Sequence, residues 1–102
     1  MTNYARFKAN GEVSYGVVEG DTVTKISGSP FQSYNSTNES HAVSDVKLLS
    51  PTNPSKVVAI GLNYRSHLGG RPGPSAPEPF LKASTSVIGN GDEIIIPKAA
   101  ID

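Results

Sequence analysis

The sequence contains no cysteine, and this absence removes several kinds of chemistry at once. Disulfides, thiolate nucleophiles and cysteine metal sites are all excluded. An excess of charge of one sign is also missing, because nine acidic residues balance nine basic ones. The few aromatic residues, four Tyr and three Phe, are not interleaved with basic residues. We therefore expect no nucleic-acid partner and no anionic membrane surface as a partner.

Long hydrophobic runs are absent as well. No apolar run approaches the roughly 20 residues that a membrane-spanning helix needs. The first six residues are polar and lack the apolar core of a signal peptide. These features predict a cytoplasmic protein. A length of 102 residues predicts one small domain or a piece of a larger one.

The first quarter of the chain has the pattern of a β-meander. Ten Gly and eight Pro disfavour long helices. Three segments alternate between apolar and polar residues or are rich in Val and Tyr, and Asn10-Gly11 and Gly20-Asp21 separate them. Asn-Gly is the strongest short hairpin signal, because both central residues of that turn need positive φ. The predicted strands are residues 4–8, 12–19 and 22–26, with one face of the sheet buried.

A polar stretch follows this meander. Residues 27–40 are rich in Ser, Asn and Gly, which predicts a loop and a boundary in the chain. His41 continues this stretch, with nothing near it in sequence, and we expect it to be solvated. Residues 46–49 predict a short strand.

The second half of the chain also predicts short strands. Residues 56–60 are nearly all apolar and β-branched, which predicts a strand that is buried on both faces. Residues 67–79 hold four prolines and three glycines, so only a short helical turn near residues 64–69 is expected there. Further short strands are predicted at residues 80–82 and, as a hairpin-like pair, at 86–89 and 93–96. The predicted fold class is mainly β.

His67 is the first candidate for chemistry. It follows the apolar strand and lies beside Asn63, Tyr64 and Arg65. A histidine can act as a general base, orient a water molecule or bind a metal at neutral pH. The alternative is a half-exposed loop histidine that hydrogen-bonds the backbone.

Lys82 and Arg65 are candidates for substrate binding. Lys82 ends a predicted strand, where its charge could neutralise a substrate carboxylate or an enolate. Arg65 could hold a carboxylate with two hydrogen bonds. The alternatives are a solvated lysine at a sheet edge and a surface salt bridge. The sequence has no recognisable metal-ligand spacing and no phosphate-binding loop.

Residues 61–67, Gly-Leu-Asn-Tyr-Arg-Ser-His, resemble the fumarylacetoacetate hydrolase family. The likeness extends in order over essentially the whole chain; it includes residues 6–21, 29–31, 46–51, 54–58, 80–82 and 86–92. It implies a small N-terminal β domain at residues 1–50 and the start of a truncated, fumarylacetoacetase-like catalytic domain at residues 51–102. The three-stranded meander would then be followed by the first strands of a mixed β fold.

The same resemblance implies metal-dependent catabolic enzymes that hydrolyse, isomerise or decarboxylate small oxo or dicarboxylic acids. Magnesium, manganese or calcium would hold the oxo-acid end of the substrate. His67 would be the general base or would position water, and Lys82 would lie near the same cleft. Many members have a glutamate three residues after the histidine; here that residue is Gly70. The catalytic dyad is therefore not carried over.

The family's metal-binding carboxylates, including a Glu-x-Glu pair, are expected beyond residue 102. The first hypothesis is therefore an N-terminal portion of such an enzyme that binds no metal and is inactive alone. The second is a free-standing β domain without enzymatic activity, which associates with other proteins through exposed strand edges. A homodimer or a strand-mediated oligomer is expected in either case. The substrate cannot be identified from the sequence.

Overall fold

The computed structural model describes residues 1–100, and strands are its main regular elements. No helix in this part of the chain is long and apolar enough to cross a membrane. The contacts form two compact units. The first unit combines residues 1–52 with the segment from Ile88 onward, and the second contains residues 53–87. The division into residues 1–50 and 51–102 stays a prediction.

The first unit contains a five-stranded antiparallel sheet in the order β4-β3-β2-β1-β5. Its strands are β1 (Asn3–Ala9), β2 (Glu12–Glu19), β3 (Thr22–Ser27), β4 (Asn35–Ala42) and β5 (Lys47–Leu48). The predicted mainly β class and the three-stranded meander are confirmed. Asn10 and Gly11 have φ values of 50° and 84°, so the hairpin between β1 and β2 has the turn that Asn-Gly favours.

The core of the first unit is small. Among the described residues, the buried hydrophobic side chains are Phe7, Val23 and Ile26. Gly16 lies against two of them: a Cβ atom there would be 2.6 Å from Cγ2 of Val23 and 3.0 Å from Cε1 of Phe7. The missing side chain of Gly16 therefore makes room for the ring and the methyl group that fill the core.

β4 is a correction to the sequence-based prediction of a loop at residues 27–40. The strand pairs with β3, and the register shifts between Thr24 and Ile26. Its side chains are mostly polar, but they form bonds of their own across this pair. The hydroxyls of Thr24 and Ser40 are 2.9 Å apart, and Thr37 donates to the carbonyl of Lys25 at 2.8 Å. The backbone ladder at a sheet edge has overridden weak local strand propensity.

His41 is a second correction, because it is not solvated. Its side chain is only 19% exposed, and Nε2 lies 3.0 Å from Oε1 of Glu39. The imidazole ring packs edge-on against Phe7, with the ring centroids 5.9 Å apart. The reason is the register of β4, which places His41 opposite the buried Val23.

The second unit contains a two-stranded antiparallel ribbon, β6 (Val57–Gly61) and β7 (Glu78–Lys82). Both strands were predicted, but burial of both faces of β6 was wrong. Val58 and Ile60 are 61% and 43% exposed, and no side chain in residues 53–87 is buried. The physical reason is that β6 pairs with β7 alone, and a two-stranded ribbon has no second layer that covers the faces of its strands.

The hairpin-like pair predicted at residues 86–89 and 93–96 is wrong. A short 3-10 turn (Ser84–Ser86) precedes an irregular segment instead. The carboxylate of Asp92 accepts a hydrogen bond from the amide of Gly89 at 2.9 Å and lies 2.8 Å from Nζ of Lys47. This side-chain bond closes the turn locally and replaces the strand ladder that a hairpin would need. The strand predicted at residues 46–49 is present as β5.

Candidate active site at the end of β6

β6 leads directly into the candidate site. The strand ends at Gly61, and Leu62 has a left-handed φ of 49°. Tyr64 is extended, and a 3-10 turn, Arg65–His67, follows it. The amide of His67 donates to the carbonyl of Tyr64 at 2.9 Å. The helical turn expected near residues 64–69 is therefore confirmed.

The His67 side chain is exposed on this turn. Its ring packs edge-on against the ring of Tyr64, with the centroids 5.5 Å apart and the planes at 71°. In the part of the chain that the structure describes, no carboxylate forms an ion pair with His67. Tyr64 thus restricts the orientation of an imidazole that solvent and ligands can reach.

The structure places Arg65 on the same turn as His67, but it places Lys82 elsewhere. Lys82 ends β7 and pairs with Val57, whereas Gly61 pairs with Glu78. These two pairs are four positions apart along each strand, which is about 13 Å at the usual rise of a β-strand. The Lys82 ammonium lies 5.9 Å from the centroid of the Phe80 ring. Over residues 1–100, no hydrogen bond or ion pair joins the three predicted site residues, and their roles stay predictions.

A cleft of about 340 Å³ lies at the end of β6. One wall is formed by residues 60–63 and the other by residues 73–77, which lead into β7. The Asn63 amide and the Ser75 hydroxyl are the hydrogen-bonding side chains among its lining residues. Residues 73–77 were not among the predicted site residues, because Pro74 and Pro77 indicated only an irregular segment.

The charged residues do not form a metal centre in the described part of the chain. Within residues 1–100, no group of three or more His, Asp or Glu side chains could hold a metal ion. A divalent cation such as magnesium or calcium needs about six or more oxygen ligands, several of them from the protein or the substrate. The residues present therefore do not fit the metal that the family resemblance implies.

Comparisons with known proteins show which family the chain is similar to. Residues 3–51 match the family model described as Rv2993c-like, N-terminal. The chain is 37% identical over 98 residues to protein Rv2993c of Mycobacterium tuberculosis. It is also 40% identical over 57 residues to the human mitochondrial oxaloacetate tautomerase FAHD2A. The chain belongs to the fumarylacetoacetate hydrolase family.

The structural comparison agrees with this family over nearly the whole chain. The structure of Cg1458 with inhibitor superposes with a TM-score of 0.86 at 32% identity and covers 99% of this chain. The 2-hydroxyhepta-2,4-diene-1,7-dioate isomerase of Mycobacterium marinum gives a TM-score of 0.70 at 30% identity over 86% of this chain. Both neighbours support a fumarylacetoacetate hydrolase-type fold.

The matched regions are only parts of these longer proteins. The alignment with Rv2993c takes in 86% of this chain but 37% of Rv2993c, and the one with human FAHD2A 53% and 18%. The chain likewise covers 42% of Cg1458 and 34% of the Mycobacterium marinum isomerase.

Proposed function

We propose that this chain acts as the N-terminal portion of an enzyme that moves a proton at the carbon next to a carbonyl of a small oxo or dicarboxylic acid. Two relatives support this chemistry by name, an oxaloacetate tautomerase and a 2-hydroxyhepta-2,4-diene-1,7-dioate isomerase. Tautomerisation passes through an enol or enolate, and hydrolysis or decarboxylation of oxo acids can use the same intermediate. Of these three reactions, isomerisation is the one that we favour.

The observation that carries the proposal is the position of His67. The turn that holds it follows a strand end, its imidazole is exposed, and one aromatic ring restrains it. We assign His67 the role of general base. One ring nitrogen takes the proton from carbon, the C–H electron pair forms a carbon–carbon double bond, and the carbonyl π pair moves to oxygen. The imidazolium then returns the proton to that oxygen in a tautomerisation, or to another carbon in a double-bond isomerisation.

Arg65 and Lys82 complete the proposed substrate site. Arg65 lies two residues before His67 on the same turn, and we assign its guanidinium to a substrate carboxylate. Lys82 is assigned to a second carboxylate or to the enolate. Of the three assignments, Lys82 has the least geometric support, because the register places it at the far end of the ribbon.

Metal dependence is part of the proposal. A magnesium, manganese or calcium ion would polarise the carbonyl and lower the energy of the enolate. Since the described residues do not supply its ligands, we propose that carboxylates outside this chain hold it. The 102-residue chain alone should then be inactive. Isothermal titration of the chain with magnesium and oxalate should give no measurable heat of binding; tight, stoichiometric binding would contradict this.

The decisive test uses the reading frame beyond codon 102. If the frame continues and encodes a Glu-x-Glu pair, the extended protein should catalyse keto–enol exchange of oxaloacetate or a related oxo acid. His67→Ala should then lower kcat by about 100-fold or more, the usual effect of losing a general base. His41→Ala is the matched control, because it removes the other histidine and should leave kcat within about twofold. A stop codon, or full activity of His67→Ala, would refute the proposal.

A specific observation also supports the alternative, an association domain without enzymatic activity. β4 and β5 are the edges of the five-stranded sheet, and Val58, Ile60, Phe80 and Leu81 are exposed on the ribbon. Unpaired edges and exposed apolar side chains promote pairing between chains. We therefore propose a homodimer or a strand-mediated oligomer in the cytoplasm. Light scattering coupled to size-exclusion chromatography would show a monomer if this association is absent.

A further inference from the structure

Leu62 has a backbone conformation that its residue type disfavours. Among the described residues, Asn10 and Leu62 are the non-glycine residues with positive φ. Asn10 belongs to an Asn-Gly hairpin turn, where this conformation is usual. Leucine in the left-handed region brings its Cβ close to the following carbonyl oxygen, and glycine would avoid this contact. The strain at Leu62 therefore needs a compensating reason.

The side chain of Leu62 provides part of this reason. Leu62 is exposed, at 38%, and it lines the cleft beside Asn63. A glycine would satisfy the backbone but would leave this part of the cleft unfilled. Strained residues that persist in a fold are concentrated at functional sites, where the surrounding structure holds them in place.

The backbone of Leu62 determines where the following residues go. β6 is extended up to Gly61, and a further extended residue would continue the strand away from the ribbon. The left-handed residue changes the chain direction instead, and the Arg65–His67 turn begins four residues after Gly61. Leu68 then lies against the opposite wall of the cleft, since its Cδ1 atom is 3.7 Å from where a Cβ of Gly73 would be.

We propose that Leu62 is the positioning residue for His67. Its left-handed backbone turns the chain at the end of β6, and its side chain at the cleft stabilises that change of direction, so that the Arg65–His67 turn and its imidazole are held in place. Leu62 touches no reacting atom in this scheme. Its importance for catalysis rests on the function proposed above, but the positioning itself can be measured without any activity.

The test compares three substitutions at Leu62 by NMR in the 102-residue chain. Leu62→Asn introduces a residue that tolerates positive φ, and Leu62→Gly removes both the strain and the side chain. Leu62→Ile introduces β-branching, which opposes positive φ. The reporters are the nuclear Overhauser effects (NOEs) between Leu68 and Gly73 and between Tyr64 and His67. Wild type and Leu62→Asn should show both. Leu62→Ile should lose the Leu68–Gly73 effect, and Leu62→Gly should weaken it.

Two controls make the outcome unambiguous. Effects between Ala59 and Phe80 report pairing of the ribbon, and effects between Phe7 and Val23 report the separate core of the first unit. Both should be unchanged in every variant. Retention of the Leu68–Gly73 effect in Leu62→Ile, its absence in wild type, or its loss in Leu62→Asn would overturn the proposal. Loss of ribbon pairing in Leu62→Ile would also overturn it, because Leu62 would then support the fold and not the direction of one turn.

This experiment is independent of the enzymatic one. If Leu62→Ile releases the turn but His67→Ala leaves the extended protein fully active, the positioning is correct and the proposed function is wrong. If Leu62→Ile releases the turn and His67→Ala also loses activity, Leu62→Ile should lower kcat of the extended protein with little change in KM. Leu62→Asn should keep kcat near the wild-type value. That pattern is expected of a misplaced base and not of lost substrate binding.

Discussion

The small core makes Gly16→Ala the most informative perturbation of the fold. An alanine Cβ at this position would lie 2.6 Å from Cγ2 of Val23, 2.7 Å from the carbonyl oxygen of Thr24 and 3.0 Å from Cε1 of Phe7. Carbon atoms in favourable contact are about 3.5–4.0 Å apart. The methyl group would therefore overlap Val23 by about 1 Å, on the basis of that separation.

Two effects of opposite sign decide how much Gly16→Ala changes the free energy of unfolding. Alanine is better than glycine inside a strand by about 0.5–1 kcal/mol, because it loses less backbone entropy. Overpacking of a filled core costs about 1–3 kcal/mol. Here one contact is with β3 backbone, which cannot withdraw without breaking its pairing with β2, so the upper part of that range applies. We expect a net loss of about 2 kcal/mol of unfolding free energy.

Thermal unfolding followed by circular dichroism measures this loss. For a domain of this size, about 2 kcal/mol corresponds to a decrease in Tm of about 8–16 °C. Gly73→Ala is the matched control, because its Cβ would meet a single atom, Cδ1 of Leu68, at an ordinary 3.7 Å. It should change the unfolding free energy by about 0.5 kcal/mol or less. A Gly16→Ala variant with the same Tm as wild type would refute the packing argument.

Two further predictions concern charged groups of the first unit. Hydrogen bonds from His41 and then from Lys25 lower the pKa of Glu39 below its ordinary 4.5, so this stabilisation is present above pH 4.5 and is lost as the pH falls through the lowered folded-state pKa. Glu39→Gln should therefore flatten the acid limb of a plot of Tm against pH, and parallel wild-type and variant profiles would contradict the assignment. Asp92→Ala should speed hydrogen exchange at the Gly89 amide, whose partner it removes, whereas Lys47→Met, which leaves that bond in place, should change the exchange little. Equal exchange rates in the two variants would argue against a turn closed by Asp92.

The meander was predictable because its signals are local. Alternation specifies the strands, and Asn10-Gly11 specifies the tight turn between β1 and β2 by its backbone preference. β4 was missed because its residues are mostly polar, so no apolar alternation marks it. Its pairing comes from the free edge of β3, which depends on tertiary structure and not on local preference. The error at His41 has the same origin.

The candidate site was only partly predictable for a similar reason. The apolar run of β6 and the motif around His67 are continuous in sequence, so they were found together. The antiparallel register that separates Lys82 from the end of β6 depends on how two distant segments pair. The left-handed φ of Leu62 and the cleft wall at residues 73–77 also depend on the folded chain. No residue-type preference indicates a positive φ at leucine.

The absence of buried side chains in residues 53–87 has a consequence for how the site is controlled. A ribbon with so little interior has a low free energy of local opening, so the turn that carries His67 should open more readily than the strands of the first unit. Any surface that covers Val58, Ile60, Phe80 and Leu81 binds the closed ribbon preferentially and shifts this equilibrium by mass action. The placement of the histidine and the occupancy of the ribbon surface are then thermodynamically linked. Under the function proposed above, a substitution far from the imidazole, on whatever surface covers the ribbon, would then change the rate of proton transfer without touching the substrate.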